Sequence, residues 1–372
     1  MFYFLLFAVT TILFYLAQIC GKRWSGGYYL LSFLAIFLLA FVAGCRDNSI
    51  GTDIHVYGLK TFNVARGTDD FWSGYERVKG YSELGYYSIN YVSQSFSSKY
   101  GVVLFLQSFI MYSWVFGGVK SVAGEDNVAV GMLVYNLYFY SLSLNLMRQC
   151  LAIAFVLWSF RFFKERRPYS LLLCAVICFF LHKSSVVAYV IMFVAYYMTT
   201  LELQRQKVML FICSFGAVCG VVLFGTLLSM ITSAIPAFKK YDAYGLNTIF
   251  GSSISTMDLI IRGLMLGVAV VLGHSKRSDK RICNLLTFFL VVDIAAQFLG
   301  IYAFFTTRIG YYAFAIEIPL LLEVISQSRI SIGTKLLGRI CIIVLFAIYC
   351  VRMYYVKGDC QTYPFTSEVL GV

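Results

Sequence analysis

The sequence predicts an all-α polytopic integral membrane protein with about twelve transmembrane helices (range 10–13). Three observations carry that expectation. Hydrophobic residues make up 60% of the 372-residue chain and charged residues 13%, and the mean hydropathy is +0.78, outside the range of soluble globular domains. Apolar runs of roughly 17–25 residues, each able to cross a hydrocarbon core of about 30 Å, recur from end to end. The Lys and Arg residues gather in short loops, as an orientation signal requires. A membrane barrel would instead alternate apolar and polar residues. The expected organisation is one integral domain, 1–372.

Taken in order, the predicted crossings are Phe2–Cys20, Tyr28–Gly44, Gly101–Val119, Val128–Leu144, Arg148–Phe163, Tyr169–Leu181, Ser185–Thr199, Val208–Ile231, Met257–Gly273, Ile282–Ile301, Ile309–Ile325 and Thr334–Tyr355. The first run has no basic region before it and no small-residue cleavage site after it, so it reads as a retained helix. The pair Tyr169–Leu181 and Ser185–Thr199 reads as a hairpin with Leu181-His182-Lys183-Ser184 at its tip. The strongest basic loops are Arg161–Arg167 and His274–Arg281, with Lys22-Arg23, Arg205–Lys207 and Arg329–Lys335 as weaker members. Placing all five in the cytoplasm puts two long loops outside, 45–100 and 232–256, together with both termini. Within the first loop, a segment near 83–98 is short and rich in Ser, Asn and Gln. It is expected to lie in the membrane interface as an amphipathic helix with its tyrosines at headgroup level.

The formal charge of +12 is explained by those loops, which argues against a nucleic-acid partner. The eleven cysteines form no pair with zinc spacing, and many lie inside apolar runs as small hydrophobes. Cys45 and Cys360 fall on the same side and leave one disulfide open. No glycine-rich nucleotide loop or Asp-x-Asp metal motif is present, so neither a cofactor nor a metal is expected. Asp69-Asp70 is a poor substitute for such a motif.

With this topology Arg46, Asp53, Glu83, Asn145, Arg148, Gln149, His182, Lys183 and Arg308 all fall at or just above the outer membrane face. Cationic helix ends gathered on one face suit a polyanionic lipid headgroup, because the planar guanidinium gives paired charge-assisted bonds to phosphate oxygens. Each residue also has a bland explanation. Arg46 and Arg308 could snorkel to headgroups, Arg148 could form a buried structural pair, and His182 could be a hydrogen-bonded structural histidine. Asp53 could cap a loop helix and Glu83 could begin the interfacial one. Deeper in the crossings, Asp258 and Arg262 stand four apart and can pair along one helix face. Asp293 and Glu317 fall at mid-membrane and need a protein, cation or water partner. Glu317, two residues before Pro319, could mark a helix break of the kind transporters use.

Several of these stretches form a familiar series. Arg46 followed by Ile50-Gly51-Thr52-Asp53 and Tyr57 resembles the "R…VGTD…Y" signature of the EpsG family of exopolysaccharide proteins. Glu83-Leu84-Gly85-Tyr86 resembles its "E.GY" motif, Asn145–Ala152 its "N..RQ.lA", and Phe180–Ser185 its "FH.s" hairpin. Thr307–Tyr312 and Tyr363-Pro364-Phe365 resemble its last two motifs. The family is similar to Wzy-type O-antigen and capsule polymerases. The resemblance implies a GT-C-like membrane glycosyltransferase of the bacterial inner membrane with a periplasmic active site. It would join undecaprenyl-diphosphate-linked repeat units, which serve as both donor and acceptor, with a membrane chain-length regulator as a candidate partner. On that reading His182, Glu83 and Asp53 are the candidate bases, and Arg148 stabilises the leaving group. Arg46, Arg308, Gln149, Asn145 and Lys183 then bind substrate. Two other readings stand beside it: a flippase for lipid-linked sugars, and an acyltransferase in which His182 activates a hydroxyl.

Overall fold

The computed structural model describes residues 2–234, 255–275, 278–302 and 304–372. All regular structure among them is helical. In order, the helices are α1 (Phe2–Gly21), α2 (Ser25–Cys45), α3 (Leu59–Arg66), α4 (Phe71–Val78), α5 (Leu84–Gln94), α6 (Gly101–Ala123), α7 (Val128–Asn145) and α8 (Met147–Lys164). Then come α9 (Pro168–Leu181), α10 (Ser185–Thr200), α11 (Leu203–Ala234), α12 (Thr256–His274), α13 (Lys280–Leu299), α14 (Phe304–Gln327) and α15 (Ile332–Cys350). Each predicted crossing coincides with one of these helices. The predicted outer loop 232–256 falls almost wholly outside the described residues. The chain divides into two compact units, one formed by Met1–Val186 with Leu337–Val372 and the other by Val187–Leu336.

Among the described residues, eight helices are long and apolar enough to cross a membrane: α1, α2, α6, α11, α12, α13, α14 and α15. Helices α9 and α10 are apolar but shorter. Helices α7 and α8 are more polar, and their burial explains it. Nearly every residue of α7 is buried, so the helix meets protein on all sides and needs no lipid-facing stripe.

In the first unit α6 packs against α2 and α8, and α1 packs against α2 and α7. One end of this unit is marked by Gln18 donating to the Glu125 carbonyl, by Lys164 Nζ on the Val122 carbonyl at 3.1 Å, and by Arg339 on Asn127 Oδ1 at 2.7 Å. At the other end the close of α2 meets the start of α6. A Cβ on Gly101 would stand 2.6 Å from the Gly44 carbonyl oxygen, and one on Gly44 would stand 2.7 Å from the Phe105 Cβ. Only glycine at both positions allows that approach. The loop between them therefore leaves and returns at one end of the unit, and α5 does not cross. Its eleven residues span about 16 Å, half of a hydrocarbon core.

This loop holds more structure than expected. A π-helical turn at Ile54–Gly58 precedes α3, α4 and α5. Asp70 caps α4 by accepting from the Ser73 amide at 2.6 Å, which uses this carboxylate locally. The expected helix near 83–98 ends at Gln94, because the chain turns at Ser95 and Phe96 onto the Val92 and Ser93 carbonyls. Two of its tyrosines, Tyr86 and Tyr87, face inward and are buried. Tyr87 joins Ala65 and Val78 in a small core, and Tyr86 bonds the Tyr100 hydroxyl at 3.0 Å.

The C-terminal segment straps this end. Ser367 Oγ donates to the Cys45 carbonyl at 2.5 Å, and the Asp47 amide donates to the Thr366 carbonyl at 3.1 Å. Tyr3 donates to the Thr362 carbonyl at 2.8 Å. The Phe2 and Phe365 rings stack with centroids 4.2 Å apart, so the start of α1 and the 362–367 segment meet at this end of the unit. Cys45 and Cys360 are free, like the other nine cysteines.

In the second unit α13 packs against α11, α12 and α14. The predicted Asp258–Arg262 pair is present, with Nη1 to Oδ1 at 2.8 Å. Helix α14 continues through Pro319, so the expected break at Glu317 does not occur. Tertiary packing tolerates a proline inside a membrane helix when neighbouring groups satisfy the freed carbonyl.

Candidate functional site

The sequence motifs act as docking points that bring distant helix ends together. Gly51 has φ +86°, and a Cβ there would press on the Leu144 carbonyl at the end of α7. Its neighbour Thr52 donates to Asn145 Oδ1 through both its amide and its hydroxyl, each at 2.8 Å. Residues 51–52 are thus seated on the α7–α8 junction, where Met147 and Arg148 begin α8. Gly85 does the same for α5 and α9. A Cβ there would stand 2.7 Å from Leu181 Cδ2 and 3.1 Å from the Phe180 carbonyl oxygen. The missing side chain lets Glu83 reach His182.

Three predicted residues converge as a result. Glu83 Oε1 is 2.8 Å from His182 Nδ1, and its Oε2 accepts from Arg148 Nη1 at 2.8 Å. The same Arg148 nitrogen donates to the Tyr81 carbonyl at 2.7 Å, and the guanidinium lies 3.8 Å from the Tyr57 ring centroid. Burial raises the Glu83 carboxyl pKa, but the His182 hydrogen bond and the Arg148 charge outweigh it and hold the group below its usual value. An ionised Glu83 accepts, so His182 donates from Nδ1, and in the neutral imidazole this leaves the lone pair on Nε2. His182 closes α9 in an extended conformation (φ −163°, ψ 120°), which turns the ring away from the helix and towards Glu83.

Beside this trio lies a cavity of about 310 Å³ lined by Tyr57, Lys79, Ser82, Glu83, Arg148 and Lys183. Its one carboxylate is committed to Arg148 and His182, so Lys79 and Lys183 leave the cavity net positive. Lys79 also pairs with the exposed Glu76.

Arg46 is buried at the end of α2, 6% exposed. Its Nη2 meets Met147 Sδ at 3.2 Å, and its Nε has no partner. A thioether is a weak acceptor, and none of the titratable groups that act on this guanidinium is a carboxylate. The titratable groups around it are the hydroxyls of Tyr3, Tyr100, Tyr140 and Tyr86. Burial with no anion excludes the snorkelling explanation, since a snorkelling side chain keeps its charge in water.

The other predicted residues fall elsewhere. Asp53 opens the π-helical turn without a side-chain capping bond, so the capping explanation does not hold, and it stands close to Tyr86 and Tyr100. Asn145 uses its amide oxygen to hold Thr52. Gln149 is buried in α8 and is not among the cavity residues. Arg308 belongs to the second unit, near the start of α14. Residue choice from the sequence missed Lys79, the Tyr81 carbonyl and Met147, and it did not assign Tyr57 a role. The glycine-containing turn Lys79–Ser82 just before Glu83 was a usable signal for the first two.

Chemically, the arrangement offers a carboxylate-oriented imidazole beside a cationic, aromatic-walled cavity, with a second cation buried behind Met147. A family model described as the EpsG family matches residues 29–367. No curated protein matches the chain, and no solved structure does.

Proposed function

We propose that this chain, which belongs to the EpsG family of Wzy-type polymerase-like membrane proteins, joins lipid-diphosphate-linked oligosaccharide repeat units. Membership makes it a multi-pass membrane protein of polysaccharide biosynthesis. The finer reading is a glycosyltransferase that moves a growing glycan from undecaprenyl diphosphate onto another lipid-linked unit at the periplasmic face. The observation that carries it is Glu83 bridging Arg148 and His182 at the edge of a cationic cavity. The basic loop Arg161–Arg167 follows from the far end of α8, which supports a site facing away from the cytoplasm.

In this reading His182 Nε2 takes the proton of the acceptor hydroxyl as its oxygen attacks the anomeric carbon. The glycosyl–phosphate bond breaks, and its electron pair leaves on the diphosphate oxygen. Arg148, with Lys79 and Lys183, meets the charge that develops there. Removing one preorganised contact of this kind commonly costs about 3–4 kcal/mol, or roughly 10²–10³ in rate. Glu83 holds the imidazole in the tautomer that leaves Nε2 free and stabilises the imidazolium that forms.

The test is a deletion strain complemented with Arg148→Ala or His182→Ala at equal protein level. A polymerase defect leaves surface glycan capped with a single repeat unit. Loss of even that unit would indicate a flippase, and long chains of normal distribution in either strain would overturn the assignment.

A further inference from the structure

The second unit contains a buried charge cluster that the proposed reaction does not use. Arg262 on α12 is fully buried. Its Nε donates to Asp293 Oδ2 at 2.5 Å, its Nη1 donates to Asp258 Oδ1 at 2.8 Å, and its guanidinium lies 4.2 Å from the Phe314 ring centroid. Asp293 Oδ1 accepts from Gln297 at 3.1 Å. One cation is therefore divided between two carboxylates.

A third acid completes the group. Glu317 lies near the middle of α14, 0% exposed, and neither of its carboxyl oxygens has a hydrogen-bond partner. Helix α14 packs against α13 and α12, and the charged groups that reach Glu317 are Asp293 from α13 and Arg262 from α12. A bare carboxylate in such a place has no donor to replace water, and one positive charge would face three negative ones. A buried carboxyl without a donor or a cation of its own takes up a proton instead. No group of three His, Cys, Asp or Glu among the described residues converges to hold a metal ion, so a proton fits the site better than a metal.

We propose that Glu317 is an intramembrane proton-binding site, and that its proton is what leaves Arg262 shared between Asp258 and Asp293. When the proton is lost, Glu317 becomes a third claimant for the same guanidinium. The bonds joining α12, α13 and α14 must then be redistributed, so proton binding is coupled to the packing of these three helices. The proposal is independent of the reaction assigned to the first unit.

Infrared spectroscopy of the purified full chain in liposomes tests it, comparing wild type with Glu317→Gln, whose neutral amide matches the protonated acid in shape. At neutral pH the wild type should show a free-acid carbonyl stretch that shifts in heavy water and is missing from the variant. The band should fade on alkaline titration and be unaffected by added sodium chloride. A wild type without the band, or a variant that retains it, overturns the proposal. So does replacement of the band by sodium at fixed pH, which would make this a metal-cation site. Should the variant fail to fold, carboxyl-¹³C glutamate in the wild type separates the band from Asp258 and Asp293, and loss of the ¹³C-shifted band in Glu317→Asp, which keeps a carboxyl there, separates it from the other glutamates.

Discussion

Replacing Glu83 with glutamine is the sharpest test of the proposed site, because it keeps the shape and removes only the charge. Glu83 makes two charge-assisted bonds, each at 2.8 Å, from a side chain that is 10% exposed. Such bonds are worth about 1.5–3 kcal/mol each, and their neutral replacements roughly half as much. The Glu83→Gln chain should therefore lose about 2 kcal/mol of stability near neutral pH. The loss must depend on pH in a defined sense. The folded-state pKa of Glu83 lies below the ordinary carboxylate value, so its contribution is complete above the unfolded pKa of about 4.3. It fades as pH falls through the lower, folded value. Thermal unfolding of wild type and variant in detergent should differ at neutral pH and converge in acid. The effect on polymerisation should be larger, because an amide does not stabilise the imidazolium and leaves the ring tautomer unfixed. A fall of roughly 10²–10⁴ is expected, the usual scale of general-base catalysis, measured as chain extension of a purified lipid-linked repeat unit. Activity within a factor of two of wild type, or a stability gap that persists unchanged in acid, would refute the bridging role.

Two further substitutions separate function from folding. Arg46→Met should abolish chain extension while leaving thermal stability equal or higher by about 1–4 kcal/mol, since it removes a buried charge that has no counter-ion; a clear loss of stability would show that the charge is compensated. At position 57, Tyr57→Ala should weaken the hold on the Arg148 guanidinium by about 0.5–2 kcal/mol and slow extension accordingly. Tyr57→Phe, which keeps the ring face, should stay near wild type in the same assay.

The elements were legible because apolar period and length decide them, and even the polar helices α7 and α8 were found from runs that remain mostly apolar. The interior of the 45–100 loop was not legible in the same way. Its three helices are short, and their stability comes from one another, through Tyr87 against Ala65 and Val78, a contact that no local pattern announces. The candidate site divides likewise. Arg148, Glu83 and His182 could be named because each is a charged or titratable residue beside an apolar run. Their mutual bonds depend on Gly51 and Gly85, whose contribution is the absence of a side chain facing another helix end. Lys79 and the Tyr81 carbonyl were missed because a surface lysine and a backbone oxygen look ordinary until the fold brings Arg148 to them. The reverse error occurred at Glu317, where a nearby proline suggested a break and the packed helix runs straight on.

The strap formed by the C-terminal segment also bears on when the site can exist. The Cys45 carbonyl waits for a serine 322 residues further along the chain, and the amides of Asp47 and Gly51 find their acceptors in Thr366 and Gln361. During synthesis the first two helices are made early, yet the backbone groups beside Arg46 meet these partners only once residues 361–367 have been made. A chain cut at residue 360 would hold α1 to α15 and still lack these bonds beside Arg46. Residues 361–367 thus tie down the backbone beside Arg46 only in chains that extend that far.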